Sequence, residues 1–192
     1  MTVAPSAPPA AHGAARAAPA HETHESLVWL GLGANLGAPL DTLAEARAAL
    51  AALAGAPLVA SPLYRTPPWG DPASPDFVPQ PDFINQVVGL SPPRALDPEG
   101  LLRATLALEE RLGRRRARRW GPRTLDIDLL AWPGLTWDSP TLSLPHPRLH
   151  ARRFVLEPWR AVAPHLRPCG LSATITELLT CCTDPSALTR LG

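Results

Sequence analysis

The chain has no lysine. All 18 of its basic residues are arginine, which excludes a Walker A phosphate loop with its Gly-Lys-Ser/Thr ending and any chemistry built on a lysine nucleophile or Schiff base. Cysteine is scarce: Cys169, Cys181 and Cys182 are the only three. An odd count with two adjacent makes no disulfide framework and suits a reducing compartment. A zinc site would need more ligands at useful spacing. No apolar run approaches the ~18 residues that cross a bilayer. Net charge is +1 over 192 residues, so nothing global argues for a nucleic-acid or membrane partner. That length suits one well-buried domain.

Residues 1–25 are an Ala/Pro tract with scattered histidines and almost no large apolar side chains. Such a segment cannot bury enough surface to order itself and is expected to be a disordered tail. It lacks both the leucine-rich core of a signal peptide and the repeated arginines of a transit peptide, so a cytoplasmic location is expected. His21, Glu22 and His24 would need a folded setting to hold a metal.

Residues 26–192 are expected to form the single domain. The run 27–33 reads as a buried strand ending in a glycine turn, and 39–53, with leucines at 40, 43, 50 and 53 and Gly55 as stop, as a helix. A second strand over 56–66 is interrupted by Pro62, which suits an edge or a bulge. After a proline-heavy loop (67–81), 83–90 reads as a third strand. Asp97 and Pro98 supply the cap and first turn of a second helix with Leu101, Leu108 and Leu112 as its buried stripe and Gly113 as its end. A fourth strand follows over 124–132. The order β-α-β-β-α-β predicts an α+β, ferredoxin-like antiparallel sheet with both helices on one face. The other face is left for a ligand or for the C-terminal additions: a short extended piece, a helix near 152–162 and another near 172–181.

The chemistry concentrates between residues 114 and 130, "RRRARRWGPRTLDIDLL". Seven arginines and no acid lie between Arg111 and Arg123, immediately before two carboxylates set inside an apolar strand. Strand alternation puts Asp126 and Asp128 on one face with Leu125, Ile127 and Leu129 toward the core. Their Cα atoms would lie roughly 6.5–7 Å apart, close enough for the side chains to share divalent cations. Magnesium suits such a pair, since it takes one or two carboxylates plus substrate phosphates. Arginine grips phosphate oxygens bidentately and stays charged. Two surface acids salt-bridged to arginines would be the plainer account. A nucleic-acid patch would use the arginines but not the acids, and a nucleotide-sugar transferase would use the acids alone.

With its flanking motifs, this stretch resembles the 6-hydroxymethyl-7,8-dihydropterin pyrophosphokinase family. "GLGANLG" (31–37), "YRTPPWG" (64–70), "PDFINQVV" (81–88), "LEERLGR" (108–114), "RWGPRTLDIDLL" (119–130) and "LPHPRLHARRFVLEP" (144–158) match in order and approximate spacing. The resemblance implies a ferredoxin-like enzyme of folate biosynthesis. It would transfer pyrophosphate from ATP to the pterin hydroxymethyl group and release AMP, with two magnesium ions on Asp126 and Asp128. Arg114, Arg123, Asp126 and Asp128 would carry the reaction. ATP would meet Glu109, Arg114, Arg116, Trp120, Arg123, Leu129, His146 and Arg152. The pterin would lie between Phe83 and Phe154, with Asn85 on its edge and Thr66, Pro67, Trp69 and Trp120 around it. Asn85 suits this on its own terms, sharing a strand face with Phe83 and offering donor and acceptor together. The partners implied are these two small molecules, with no nucleic acid or membrane, and the enzyme is expected to be a monomer. Thr141, Pro147, the bulky Trp69 and the long loop over 70–81 depart from the family pattern.

Overall fold

The computed structural model describes residues 24–68, 77–91, 95–114 and 121–192. Most of the expected disordered tail lies outside the described residues. His24–Ser26 at its end is a 3-10 turn, whose His24 carbonyl accepts the Trp29 indole N–H at 3.1 Å.

The first strand, β1 (Val28–Ala34), is buried on both faces. Val28, Leu30, Leu32 and Ala34 enter one core, while Trp29 enters another. Helix α1 (Pro39–Ala54) starts on a proline at the first turn and buries Leu43, Ala46 and Leu50. It stops at Gly55, whose left-handed φ of 68° lets its N–H reach back to the Ala51 and Ala52 carbonyls. Pro62 divides the second strand as its sequence predicts, into β2 (Val59–Ala60) and β3 (Tyr64–Thr66). After β4 (Phe83–Leu90) comes α2 (Pro98–Arg111), where the Asp97 side chain caps the N–H of Gly100. The ferredoxin-like unit closes with β5 (Asp126–Ala131).

The strands lie in the order β5-β1-β4-β3, all neighbours antiparallel, with β2 also on β4. The antiparallel ferredoxin-like sheet is the one the sequence predicts. Beyond it come a small hairpin of β6 (Trp137–Asp138) and β7 (Ser143–Leu144), helices α3 (Arg153–Arg160) and α4 (Ile175–Thr180), and a last strand β8 (Thr189–Arg190). The sequence reading has no β8, which extends the sheet beyond β3.

Two hydrophobic clusters sandwich the sheet. On one side α1 and α2 pack Leu43, Leu50, Leu101 and Leu108 against Leu30, Leu32, Ile127 and Leu129. On the other, Val155, Leu156 and Trp159 of α3 and Ile175 of α4 cover Trp29, Val87 and Leu130. That second layer covers only part of its face. The remainder presents Gly31, Gly33, Phe83, Asn85, Asp126 and Asp128 to an open cleft, so the site lies on the sheet surface that the extra helices leave bare.

Leu30 is wholly buried at the centre of the helix-side core. Leu30→Ala should cost about 2–5 kcal/mol, the range for deleting a packed leucine. Urea denaturation reads this directly, and a cost below about 1 kcal/mol would contradict the packing described.

Candidate active site

Asp126 and Asp128 flank a buried Ile127 and project to the same face of β5. Their side chains are 24% and 35% exposed, so both reach solvent from a partly desolvated floor. Each meets guanidinium groups. Arg114 lies 2.8 Å from one oxygen of Asp126 and Arg123 pairs with the other, while Arg152 pairs with Asp128. These are not isolated surface pairs. Asp126, Asp128, Arg123 and Arg152 all line one cleft, together with Gly31, Gly33, Thr66, Pro67, Phe83, Asn85 and Phe154. Counted out to open solvent, that cleft has about 800 Å³ of free space.

One half of the cleft is flat and apolar. Phe83 and Asn85 share a face of β4, and Phe154 comes from the first turn of α3. The Asn85 amide N–H donates to the Thr66 hydroxyl at 2.7 Å. Its oxygen lies over Gly33, where a Cβ would sit 3.0 Å away. Glycine there gives the amide its room. The Arg152 guanidinium carbon lies 5.7 Å from the Phe154 ring centre, within cation–π range, and so joins this half to the acids.

The supports sit behind the cleft. Because β5 is an edge strand, the Ile127 N–H faces outward, and Glu109 of α2 accepts it at 2.7 Å. The second oxygen of Glu109 pairs with Arg114. Burial raises the Glu109 pKa, opposed by the Ile127 hydrogen bond and the Arg114 charge. Burial works against the charge on Arg114 too, but Asp126 and Glu109 outweigh it and raise its pKa. Asn35, 4% exposed, joins three segments: its oxygen accepts the Arg123 N–H at 2.8 Å, and its amide nitrogen donates to the Gln80 side chain at 3.0 Å and the Pro81 carbonyl at 2.9 Å.

Burial lowers the His146 pKa to about 4, against the pull of Asp128, so the ring is neutral near pH 7. Its Nδ1 accepts the Arg148 N–H at 3.1 Å. The ring proton therefore sits on Nε2, which can donate to an anion.

Of the residues picked from sequence, Thr66, Pro67, Phe83, Asn85, Arg123, Asp126, Asp128, Arg152 and Phe154 line the cleft. Trp69, Arg116 and Trp120 lie outside the described residues. Glu109 is 1% exposed and its carboxylate is committed to Ile127 and Arg114, so it braces the site from behind rather than facing a nucleotide. Leu129 points into the helix-side core, because strand alternation turns it away from its acidic neighbours. Gly31, Gly33 and Asn35 were not singled out from sequence, although all three stand in "GLGANLG".

The donor set fits magnesium. Two partly exposed carboxylates on one face supply hard oxygen ligands, the number magnesium takes when water and phosphate complete its shell.

Comparison with known proteins agrees with this geometry. Residues 29–164 match the family model for 7,8-dihydro-6-hydroxymethylpterin-pyrophosphokinase. A 2-amino-4-hydroxy-6-hydroxymethyldihydropteridine pyrophosphokinase of Methylorubrum extorquens is 43% identical over 164 residues, covering 85% of this chain and 97% of that protein. The Pseudomonas aeruginosa protein of the same name is 43% identical over 157 residues, covering 81% of this chain and 91% of its own. Among solved structures, a substrate complex of an HPPK-DHPS protein superposes with a TM-score of 0.60 at 12% identity, over 80% of this chain and 42% of that one. The wild-type Plasmodium falciparum HPPK-DHPS gives 0.59 at 14%, over 80% and 44%. The chain thus spans less than half of those proteins, and at such identities they establish the fold alone.

Proposed function

The chain belongs to the 7,8-dihydro-6-hydroxymethylpterin-pyrophosphokinase family, and from that premise we propose that it transfers pyrophosphate from ATP to the hydroxymethyl group of 6-hydroxymethyl-7,8-dihydropterin, releasing AMP, in folate biosynthesis. The observation that carries this reading is a single cleft joining paired carboxylates to an aromatic and amide surface. One end suits a metal-bound polyphosphate and the other a flat heterocycle with a polar edge.

In the reaction the hydroxymethyl oxygen attacks the β-phosphorus of ATP. A new O–P bond forms, the bond from the β-phosphorus to the α,β-bridging oxygen breaks, AMP leaves, and the hydroxyl proton passes to solvent. Phe83 and Phe154 hold the ring by its faces and Asn85 by its edge, which fixes the attacking oxygen. Arg123, Arg114 and Arg152, now on Asp126 and Asp128, are within reach of an incoming triphosphate and would exchange carboxylate oxygens for phosphate oxygens. His146 offers a neutral N–H. Two magnesium ions on Asp126 and Asp128 would supply charge neutralisation between the phosphates and lower the pKa of the hydroxyl. Arg116, Trp69 and Trp120 are assigned to the same ligands on the family resemblance. The domain at 26–192 acts as a cytoplasmic monomer in this reading. No helix among the described residues is long and apolar enough to cross a membrane.

Incubation with ATP, magnesium and the hydroxymethyl pterin tests the proposal. AMP should form in step with pyrophosphorylated pterin, and none should appear without pterin or with the metal chelated. ADP as product, or AMP formed without pterin, would overturn the assignment.

A further inference from the structure

Helix α3 begins without a cap of its own. Its N-cap residue is Arg152, in an extended conformation, and no side chain there accepts an N–H from the first turn. Arginine has no acceptor atom, and this one is turned to Asp128. The acceptor comes instead from far along the chain. One oxygen of Asp184 takes the N–H of Arg153, the first residue of α3, at 3.1 Å. The other takes the backbone N–H and hydroxyl of Ser186 at 3.0 and 2.5 Å. Asp184 is 7% exposed and stands where the aligned peptide dipoles favour negative charge. The chain then runs on to β8, which pairs with Tyr64 and Arg65 of β3, and the Leu191 N–H reaches the Leu63 carbonyl at 2.9 Å. This C-terminal segment therefore holds two walls of the ring-binding half: the turn bearing Arg152 and Phe154, and the strand ending in Thr66.

We propose that Asp184 is a positioning residue for the pterin half of the site. By capping α3 from a distant segment it lets an arginine that faces Asp128 stand at the N-cap position, and it fixes the helical turn that aims Phe154 at the cleft. This rests on the pyrophosphokinase reading above. A residue that merely anchored the C-terminus would behave differently when lost: less enzyme would fold, and each folded molecule would bind pterin normally.

The experiment compares Asp184→Ala, Asp184→Asn, Ser186→Ala and Arg153→Pro. It reads pterin KM, kcat per folded molecule, melting temperature, and pterin affinity by fluorescence with an unreactive ATP analogue present. Asp184→Ala should raise both pterin KM and Kd about tenfold, the scale of a lost cap expressed as an equilibrium factor. Asparagine caps as well as aspartate, so Asp184→Asn should stay within about twofold of wild type. Ser186→Ala, which leaves the α3 bond intact, should leave both values unchanged. Arg153→Pro deletes the donated N–H and puts the ring Cδ against the Asp184 oxygen, displacing that carboxylate, while keeping the helix, because proline is favoured at the first helical position and the preceding Arg152 is already extended. It should reproduce Asp184→Ala, and the double variant should be no worse than either. Unmoved pterin KM in Asp184→Ala and Arg153→Pro, with only folded yield or melting temperature reduced, would overturn the proposal. Arg153→Pro decides alone if Asp184→Ala does not fold. A wild type that forms no pterin-dependent AMP would instead sink the functional reading beneath it.

Discussion

Asp126→Ala and Asp128→Ala should each lower kcat by about 10³–10⁵, the scale on which charge clamps act in phosphoryl transfer. ATP brings about four negative charges, and the attacking oxygen must approach a phosphorus screened by them. In the proposed reaction, cations held at fixed positions lower that barrier, and these two carboxylates would hold them. The variants should fold, because both side chains are partly exposed and the strand is held by Ile127 and Leu129 in the core. The two losses should differ in kind. Asp126 balances both Arg114 and Arg123, so its removal leaves two guanidinium groups facing each other and should weaken the order of the phosphate half. Asp128 balances Arg152 alone, and its loss should act chiefly through the metal. Asp128→Asn, which keeps the shape and one oxygen, should still lose most of the rate. Turnover within about tenfold of wild type at saturating magnesium, in enzyme shown to be folded, would defeat the metal assignment.

Much of this geometry is legible in the sequence alone. Pro39 and Gly55 bound α1, Asp97 and Pro98 start α2, and Pro62 breaks the second strand, because each residue restricts the backbone locally. The alternation through 125–129 gave the face of both acids for the same reason. What escaped depends on contacts between distant segments. Strand β8 is two residues long and exposed, too short for any alternation, and it exists only because the edge of β3 is there to receive it. Glu109 stands in a Glu-Glu pair on a charged helix and was read as a nucleotide contact. The signal for its burial lay in the phase of Leu101, Thr105 and Leu108, whose stripe includes position 109. That stripe meets an edge strand whose Ile127 N–H has no acceptor within the sheet, a fact of tertiary structure alone. Asn35 and Asp184 have the same character, since neither residue's partners lie near it in sequence.

The second large effect concerns that brace. Arg114→Ala should cost about 3 kcal/mol of stability as well as most of the activity, because it strands a buried carboxylate. The Glu109 side chain is 2% exposed, and without Arg114 only the Ile127 N–H would answer its charge among the described residues. Breaking a buried pair from one side costs about 3–5 kcal/mol. The lower end applies here, since the backbone hydrogen bond remains and Glu109 can take up a proton. Adding Glu109→Gln should return stability to within about 1 kcal/mol of wild type, because the amide oxygen still accepts the Ile127 N–H and no charge is left uncompensated. Turnover should not return with it, since the guanidinium proposed to meet the phosphates is still missing. Arg123→Ala provides the contrast. Its acid partner, Asp126, is partly exposed and keeps Arg114, so stability should change by under about 1 kcal/mol while kcat falls about 10³-fold. Urea midpoints and turnover measured on the same four proteins would separate the two roles of Arg114. If Glu109→Gln in the Arg114→Ala background restored no stability, the stranded-charge account of this brace would fail.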